Sequence, residues 1–341
     1  MRPSKKELLA RGLAVARIPI AYLGLAGKSD RVLVLAYHRV CDLGDETTFP
    51  YDPELVSATP DDFAWQMEFV SRHFEAITFR RLIELTENGS RLPRRALIVT
   101  FDDGHLDNYE NAFPVLKRLG LPATIFLSTG YIGGKGTFWF DRVAHLLYRA
   151  PCGPLVIGEI GFSADLQDVP SRRVAADSLL RTLKQVRDSQ RLDALARLEQ
   201  LVPSAPQDGA TAVRSAALDW AQVREMSRAG IEFGSHSVSH PILARLEDDA
   251  LDRELSESRR TIEEQTGTGC QVIAYPVGSG AFDERIVAAT RRSGYKLGVS
   301  YASGVNAIRN LDKYAIRRLH VERYTSRAYF QSVLAMPGIF G

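Results

Sequence analysis

The sequence predicts an α/β fold, an irregular (β/α) barrel of about seven parallel strands that carries a mostly helical insertion. Short runs of β-branched and aliphatic residues are spread along the chain, and amphipathic helical patterns lie between most of them. This alternation is typical of parallel strands joined by helical crossovers, and its rhythm favours a closed or partly closed barrel. An open, doubly wound sheet has the same rhythm and stays an alternative.

The predicted strands are continuously apolar, as strands buried on both faces are. They are Val32–Tyr37, Ala96–Phe101, Ala123–Leu127, Ile231–Gly234, Gln271–Tyr275, Tyr295–Ser300 and Tyr314–Val321. The helices predicted between them are Pro60–His73, Leu106–Leu119, Asp219–Arg228, Asp248–Thr266 and Asp283–Ser293. Asp219 is a suitable N-cap for its helix, and glycines at positions 120, 230 and 294 are suitable ends for three helices.

We expect an N-terminal helical segment over residues 1–30 and one barrel domain over residues 31–341. The barrel rhythm breaks at about residues 133–217, a stretch far longer than an ordinary crossover connection. Its middle part is charged and helical, and its end, residues 203–216, is rich in Pro, Ser, Ala and Gly. We interpret this stretch as an insertion on the barrel.

Residues 12–26 are fairly apolar, but Arg17 interrupts the run and Pro19 would kink a helix. The run has neither the unbroken core of a secretory signal nor the roughly 20 apolar residues of a membrane span. We predict a helix that rests on a membrane surface or on the domain itself. The expected location is cytoplasmic, and the three widely spaced cysteines, which form no disulfide framework, agree with it.

The overall charge is nearly balanced, with 43 basic and 41 acidic residues and a net charge of +2. Such a balance lacks the basic patch that nucleic-acid-binding proteins use to neutralise phosphates. We therefore expect a neutral or small partner and no nucleic acid.

The first motif, which closes the second predicted strand, is Thr100-Phe101-Asp102-Asp103-Gly104. Two adjacent carboxylates at the end of a buried strand need a cation or hydrogen-bond donors, and glycine permits a sharp turn beside them. The alternative is that one aspartate simply caps the helix that follows.

The second motif, which follows the fourth predicted strand, contains His236 and His240. Two histidines four residues apart share one face if the loop makes a helical turn, and this spacing suits a paired imidazole grip on zinc. The third motif, residues 274–278, reads on its own as a simple turn.

All three motifs follow strand ends, and chemistry in β/α barrels collects at the C-terminal rim. Two histidines and one aspartate there form a triad that binds a metal and leaves positions open for water and substrate. The second aspartate is then free to act as a base.

With these motifs the sequence resembles the NodB-homology polysaccharide deacetylases, carbohydrate esterase family four, including members from bacterial exopolysaccharide clusters. The resemblance is carried by Thr-Phe-Asp-Asp-Gly, by His-Ser-Val-Ser-His-Pro with the stretch leading to it, and by the opening Leu35–Val40. It extends from Val32 to Val321 outside the insertion. It implies a hydrolase that removes N-acetyl groups from sugar residues of a polysaccharide or its precursor.

The resemblance also implies residue roles. Asp103, His236 and His240 match the ligands of one divalent metal ion, which we expect to be zinc. Asp102 matches the catalytic base, and the backbone N–H of Val277 matches the oxyanion donor. The expected partner is an N-acetylated oligo- or polysaccharide.

The third motif departs from the family, which has Arg and Tyr where this chain has Ala274 and Val277. Arg317 or Arg318 is expected to supply the missing charge. Since alternate residues of a strand share a face, Arg318 is the better choice if His320 faces the rim. His320 is the candidate general acid, although a strand histidine that points into packing is an equal alternative.

Further candidates for substrate binding are His38, His105 and Tyr275. For each of the two histidines, a purely structural role is an equal alternative. The aromatic cluster Phe138-Trp139-Phe140 that opens the insertion is suited to core packing and also to stacking on sugars. Two other functions stay open. One is an amidohydrolase of a small cyclic amide or formamido sugar, and the other is an inactive carbohydrate-binding protein. The presence of all three metal ligands and of Asp102 favours the deacetylase.

Overall fold

A computed structural model gives the fold and describes residues 5–16, 18–25, 30–45, 49–134, 136–202, 217–277 and 283–340. The strands, in chain order, are β1 (Arg31–Tyr37), β2 (Arg39–Val40), β3 (Val56–Ala58), β4 (Glu75–Ala76), β5 (Ala96–Phe101), β6 (Thr124–Leu127), β7 (Gly153–Ile157), β8 (Phe162–Leu166), β9 (Glu232–Ser235), β10 (Val272–Ala274), β11 (Leu297–Ser303), β12 (Asn306–Ala307) and β13 (Ile316–His320). The helices are α1 (Lys5–Val15), α2 (Ile18–Leu25), α3 (Pro60–His73), α4 (Phe79–Glu87), α5 (Phe113–Leu119), α6 (Trp139–Arg149), α7 (Val169–Leu183), α8 (Asp188–Leu201), α9 (Trp220–Arg228), α10 (Asp248–Thr266), α11 (Glu284–Arg292), α12 (Arg327–Ala335) and α13 (Pro337–Phe340).

Seven parallel strands close into a barrel in the order β1, β13, β11, β10, β9, β6 and β5. The ring closes where β1 pairs with β5 from Val32↔Ala96 to Tyr37↔Phe101. Strand β4 pairs with β5, and β12 pairs antiparallel with the start of β1. The seven barrel strands are the seven predicted ones, so the barrel prediction is confirmed and the open sheet is wrong.

Side chains of the barrel strands alternate between an inner and an outer core, as the two-residue period of a strand requires. Val34, Ile98 and Phe126 belong to the inner cluster, whereas neighbours such as Leu35 and Val99 pack with the surrounding helices. The interior is filled tightly at Gly234, where an added Cβ would lie 2.6 Å from the Phe126 ring. The barrel is therefore a packed core and not a pore.

Helix α4, which the sequence analysis did not predict, closes the amino-terminal end of the barrel. Its side chains Phe79, Leu82 and Ile83 join the inner cluster beside residues at the starts of the strands. The Glu232 carboxylate accepts hydrogen bonds from the backbone N–H groups of Phe79 and Arg80 at 2.9 and 2.8 Å. A carboxylate at a helix N-terminus is electrostatically favourable, so this contact holds α4 at the end of the barrel.

The predicted helices Pro60–His73 and Asp248–Thr266 are present with the same bounds, and Asp219 caps α9 by accepting from the Gln222 N–H at 2.7 Å. The helix predicted from residue 106 contains a π-helical segment, Asn108–Ala112, before α5. The insertion forms α6, an antiparallel hairpin of β7 and β8, α7 and α8. Its Pro- and Ser-rich end, residues 203–216, lies outside the described residues.

Helices α1 and α2 of the predicted N-terminal segment pack against α12. Within the described ranges, no helix has both the length and the apolar character needed to cross a bilayer.

Candidate metal centre

The three motifs meet at the carboxyl-terminal rim of the barrel, around a cleft of about 220 Å³. Asp102 and Asp103 follow β5, His236 follows β9, and Tyr275 follows β10. Because the ends of parallel strands share one edge, motifs far apart in sequence come together here.

Asp103, His236 and His240 form a buried group whose ligand atoms all lie within 4.8 Å of one another. Asp103 Oδ1 lies 3.5 Å from Nε2 of His236 and 3.4 Å from Nε2 of His240. That oxygen is buried and has no hydrogen-bond partner among the residues that the structure describes. An unpaired carboxylate oxygen that faces two imidazole nitrogens fits a divalent cation such as zinc.

The tautomer of His236 is fixed by its other ring nitrogen, Nδ1, which lies 2.7 Å from the carbonyl oxygen of Ala274. A carbonyl only accepts, so Nδ1 carries the proton and Nε2 presents its lone pair to the centre. Burial lowers the pKa of His240 to about 3 despite the opposing charge of Asp103. His240 is thereby neutral at physiological pH, as a metal ligand must be.

His105 supports the centre from behind. Its Nε2 lies 3.1 Å from Asp103 Oδ2, and its side chain is fully buried. Since a carboxylate only accepts, His105 donates this hydrogen bond and orients the ligand carboxylate. His105 was predicted to contact substrate, but it is not among the residues that line the cleft. Its geometry suits the positioning of Asp103 instead.

The backbone at the rim is held in a strained conformation. Left-handed φ angles occur at five non-glycine residues of the described chain, and four of them belong to the motifs. These four are Asp103, Ser237, His240 and Val277, with φ angles of 72°, 65°, 53° and 61°. Such conformations cost of order 1–3 kcal/mol each and persist where the surroundings over-determine them. Strain concentrated here indicates a functional site.

Asp102 is held by the arginine that strand alternation favours. Arg318 Nη1 donates to Asp102 Oδ1 at 2.7 Å, and Arg318 Nε donates to the Ser300 carbonyl at 3.0 Å. Both side chains are buried. Burial, the largest single influence, would raise the pKa of Asp102, but the charge and hydrogen bond of Arg318, with contributions from His236 and His38, together lower the pKa to about 2. Arg317 is exposed and donates to the Ser303 carbonyl.

The predicted general acid, His320, lies beside the cleft and is not among the residues that line it. Its Nε2 lies 2.9 Å from the Tyr301 carbonyl oxygen, and the two rings are 3.9 Å apart. Burial, together with the charge of Arg318, lowers the pKa of His320 to about 4. Its ring nitrogen is engaged by the Tyr301 carbonyl and lies outside the cleft lining, so this geometry does not suit the role.

The other predicted site residues, His38, Val277 and Tyr275, all line the cleft. His38 lines the cleft, and its Nε2 is 3.8 Å from Asp102 Oδ2. Val277 lines the cleft, whereas the next residue of its motif, Gly278, lies outside the described residues. Tyr275 lines the cleft with its ring, but a Cβ added at Gly298 would lie 2.2 Å from the Tyr275 hydroxyl. That hydroxyl therefore packs against the neighbouring strand.

Sequence reasoning missed one wall of the cleft, which the insertion supplies through Trp139, Phe140, Leu180 and Lys184. The Trp139 indole N–H donates to the His240 carbonyl at 2.9 Å. The Phe140 and His240 rings pack edge to face, with their centroids 5.1 Å apart. The insertion thus braces His240, a residue of the candidate metal site. The Phe138-Trp139-Phe140 cluster was the available signal.

The insertion is fastened to the rim by a buried charge cluster. Arg39 Nη1 donates to Asp107 Oδ2 at 3.1 Å, and Arg39 Nη2 donates to Asp141 Oδ2 at 2.7 Å. Asp107 precedes the π-helical segment and also accepts from the Val40 N–H at 2.8 Å, while Asp141 belongs to α6. One arginine therefore joins the end of β1, the first motif's helix and the insertion.

A sequence profile of the polysaccharide deacetylase family matches residues 89–298. The Bacillus subtilis protein YxkH, which is named as a polysaccharide deacetylase, is 22% identical over 257 residues, or 75% of this chain and 62% of that protein. The poly-β-1,6-N-acetyl-D-glucosamine N-deacetylase of Staphylococcus aureus is 28% identical over 124 residues, or 34% of this chain and 42% of that protein. The matches thus span less than two thirds of either relative.

Among solved structures, the Streptococcus pyogenes deacetylase PplD in complex with acetate superposes with a TM-score of 0.58 at 19% identity. The match covers 87% of this chain and 94% of that chain. At this identity the similarity is one of fold.

The bracing contact from the insertion leads to a prediction about metal binding. Trp139→Phe keeps an aromatic side chain, although a smaller one, and removes the indole N–H that donates to the His240 carbonyl, so zinc affinity should fall by about tenfold or more. His240→Ala should remove most of the bound zinc. Zinc content after dialysis and competition with a chelator measure both effects. Trp65→Phe, on α3, is the matched control and should bind zinc as the wild type does. Unchanged zinc affinity in Trp139→Phe would contradict the bracing role.

Proposed function

The chain belongs to the polysaccharide deacetylase family, and from that membership we propose that it hydrolyses N-acetyl groups on the sugars of a polysaccharide or its precursor, using one divalent metal ion. The observation that carries the proposal is the pair of buried carboxylates at the end of β5. One faces two imidazole nitrogens with an unpaired oxygen, and the other is held ionised by an arginine.

Asp103, His236 and His240 would hold the ion, and their donor set suits zinc. When bound, such an ion polarises the acetyl carbonyl and acidifies the attacking water. This chemistry is needed because an amide carbonyl is a poor electrophile.

Asp102 is proposed as the base that takes a proton from the water while the water oxygen attacks the acetyl carbon. The lowered pKa keeps Asp102 ionised across the neutral range, so it is always able to accept. The backbone N–H of Val277, at the same rim, is proposed to donate to the developing oxyanion.

The C–N bond then breaks, its electron pair goes to the sugar nitrogen, and that nitrogen needs a proton. We assign delivery to His38 in preference to His320, because His38 lines the cleft and lies 3.8 Å from Asp102. The proton that Asp102 gained from water can pass to the amine through His38. The products are acetate and a free amino sugar.

The walls of the cleft support a sugar substrate. Trp139, Phe140 and Tyr301 line it, and aromatic faces pack well against sugar rings. The Staphylococcus aureus relative is named for poly-β-1,6-N-acetyl-D-glucosamine. We propose a polymer that contains N-acetylglucosamine as the substrate class.

The central test is acetate release. The zinc-loaded protein should release acetate from β-linked N-acetylglucosamine oligomers, whereas Asp102→Asn should lose roughly 100- to 10,000-fold in turnover, as typical of general-base loss. Zinc content should stay unchanged, because Asp102 is outside the ligand set. Activity within a few-fold of the wild type would assign the base elsewhere, and loss of zinc would make Asp102 a ligand.

A second prediction concerns pH. Arg318→Met removes the charge that lowers the pKa of Asp102, and burial then raises that pKa. Since the base acts only when ionised, activity should fall at a higher pH in the variant as the solution is acidified. The profile of kcat/KM against pH measures the shift. Arg317→Met, which removes an exposed arginine one residue away, should leave the profile unchanged. An identical acid limb in both variants would contradict the pairing.

A third prediction separates the two histidines. His38→Gln should lower kcat strongly with a small change in KM, because proton delivery belongs to the transition state. His320→Gln should change kcat only a few-fold. Steady-state kinetics at neutral pH compare them directly, and a larger loss in His320→Gln would reverse the assignment.

A further inference from the structure

Helix α1 carries an apolar stripe on the side that faces away from the barrel. Leu8, Gly12 and Val15 follow a spacing of four and three residues, which places them on one helical face. Leu8 is 56% exposed and Val15 is 87% exposed, whereas Ala10, on the opposite face, is fully buried where α1 packs against α12. A surface helix normally presents polar residues to water on this side.

The exposed apolar surface continues into α2, where Ile18 and Ile20 are 41% and 40% exposed. Of the twelve large apolar side chains exposed in the described chain, five lie between residues 8 and 20. This concentration is not the scatter of single exposed residues that ordinary surfaces show. It marks a contact surface.

Basic residues flank the stripe. Helix α1 contains Lys5, Lys6 and Arg11 against a single acid, Glu7, which pairs with Arg11 at 3.2 Å. The helix is therefore net positive, although the chain as a whole is nearly neutral. An apolar stripe with basic borders suits the boundary between lipid headgroups and acyl chains.

We propose that α1 and the start of α2 bind the surface of an anionic phospholipid bilayer, with Leu8 and Val15 inserted between headgroups and Lys5 and Arg11 in contact with lipid phosphates. The segment lies in the plane of the interface and does not cross the membrane. A second copy of this chain is a poorer occupant. A two-fold contact through this face would bring the basic borders of both copies together.

Vesicle binding of the full-length protein tests the proposal. The wild type should co-sediment with vesicles of phosphatidylcholine mixed with phosphatidylglycerol, and more weakly with phosphatidylcholine alone. High salt should reduce the binding, because it screens the attraction to anionic lipid. Leu8→Glu combined with Val15→Glu should lower the partition coefficient by about tenfold or more.

The matched control is Val156→Glu combined with Val174→Glu, which changes the same charge at side chains that are 56% and 66% exposed on the insertion. It should bind vesicles as the wild type does. Lys5→Gln combined with Arg11→Gln leaves the apolar face intact and should weaken binding to the anionic vesicles. Far-UV circular dichroism and thermal melting check that every variant is folded.

Absence of wild-type binding to the anionic vesicles would overturn the proposal, and so would equal binding by the two glutamate double variants. A dimer in solution that only the Leu8 and Val15 variant loses, without vesicle binding, would instead assign the face to a second copy. None of these readouts depends on deacetylase activity, so this inference and the proposed function fail separately.

Discussion

Two consecutive buried carboxylates at the end of β5 determine which side chains must surround them. An ionised carboxylate out of water is tolerated only when cations or hydrogen-bond donors compensate it. Asp102 and Asp103 obtain that compensation from opposite sides, since Arg318 pairs with the first, and His105, His236 and His240 surround the second. The left-handed backbone at Asp103 directs the two side chains apart. The proposed base and the candidate metal ligand are therefore adjacent in sequence but hydrogen-bonded to different side chains.

The geometry of the barrel brings these groups together at one rim. Parallel strands deliver their carboxyl ends to one rim, where the motifs lie, and the apolar side chains of α4 pack at the other end. Arg318 points inward and is matched to two acceptors, the Asp102 carboxylate and the Ser300 carbonyl. Arg318 lies in the interior layer above Ile316, because alternate residues of β13 share that face.

Much of this was predictable from the sequence. The seven barrel strands are recognisable because strands buried on both faces are continuously apolar. Arg318 was preferred over Arg317 because strand alternation puts it on the face of His320, on the condition that this face meets the rim. Helix α4 has the apolar spacing of an amphipathic helix, at Phe79, Leu82 and Ile83, but its docking at the end of the barrel depends on tertiary packing. His320 follows Arg318 on the same face, but the Tyr301 carbonyl captures its ring nitrogen, which depends on a neighbouring strand. The wall formed by Trp139, Phe140 and Lys184 depends on how a distant insertion folds back, so sequence spacing could not supply it.

The charge cluster around Arg39 makes the insertion a structural part of the barrel rim. Residues 136–202 look like a decoration that could be exchanged between relatives to transplant a substrate preference. Yet Asp141 neutralises a guanidinium buried beneath the rim, and the neighbouring indole holds the backbone of a metal ligand. A chimaera that replaced this segment would leave Arg39 with only Asp107 as its acidic partner, and an unbalanced buried cation is costly. An exchange at this boundary would therefore have to carry the segment, β2 and Asp107 together to keep the buried guanidinium balanced.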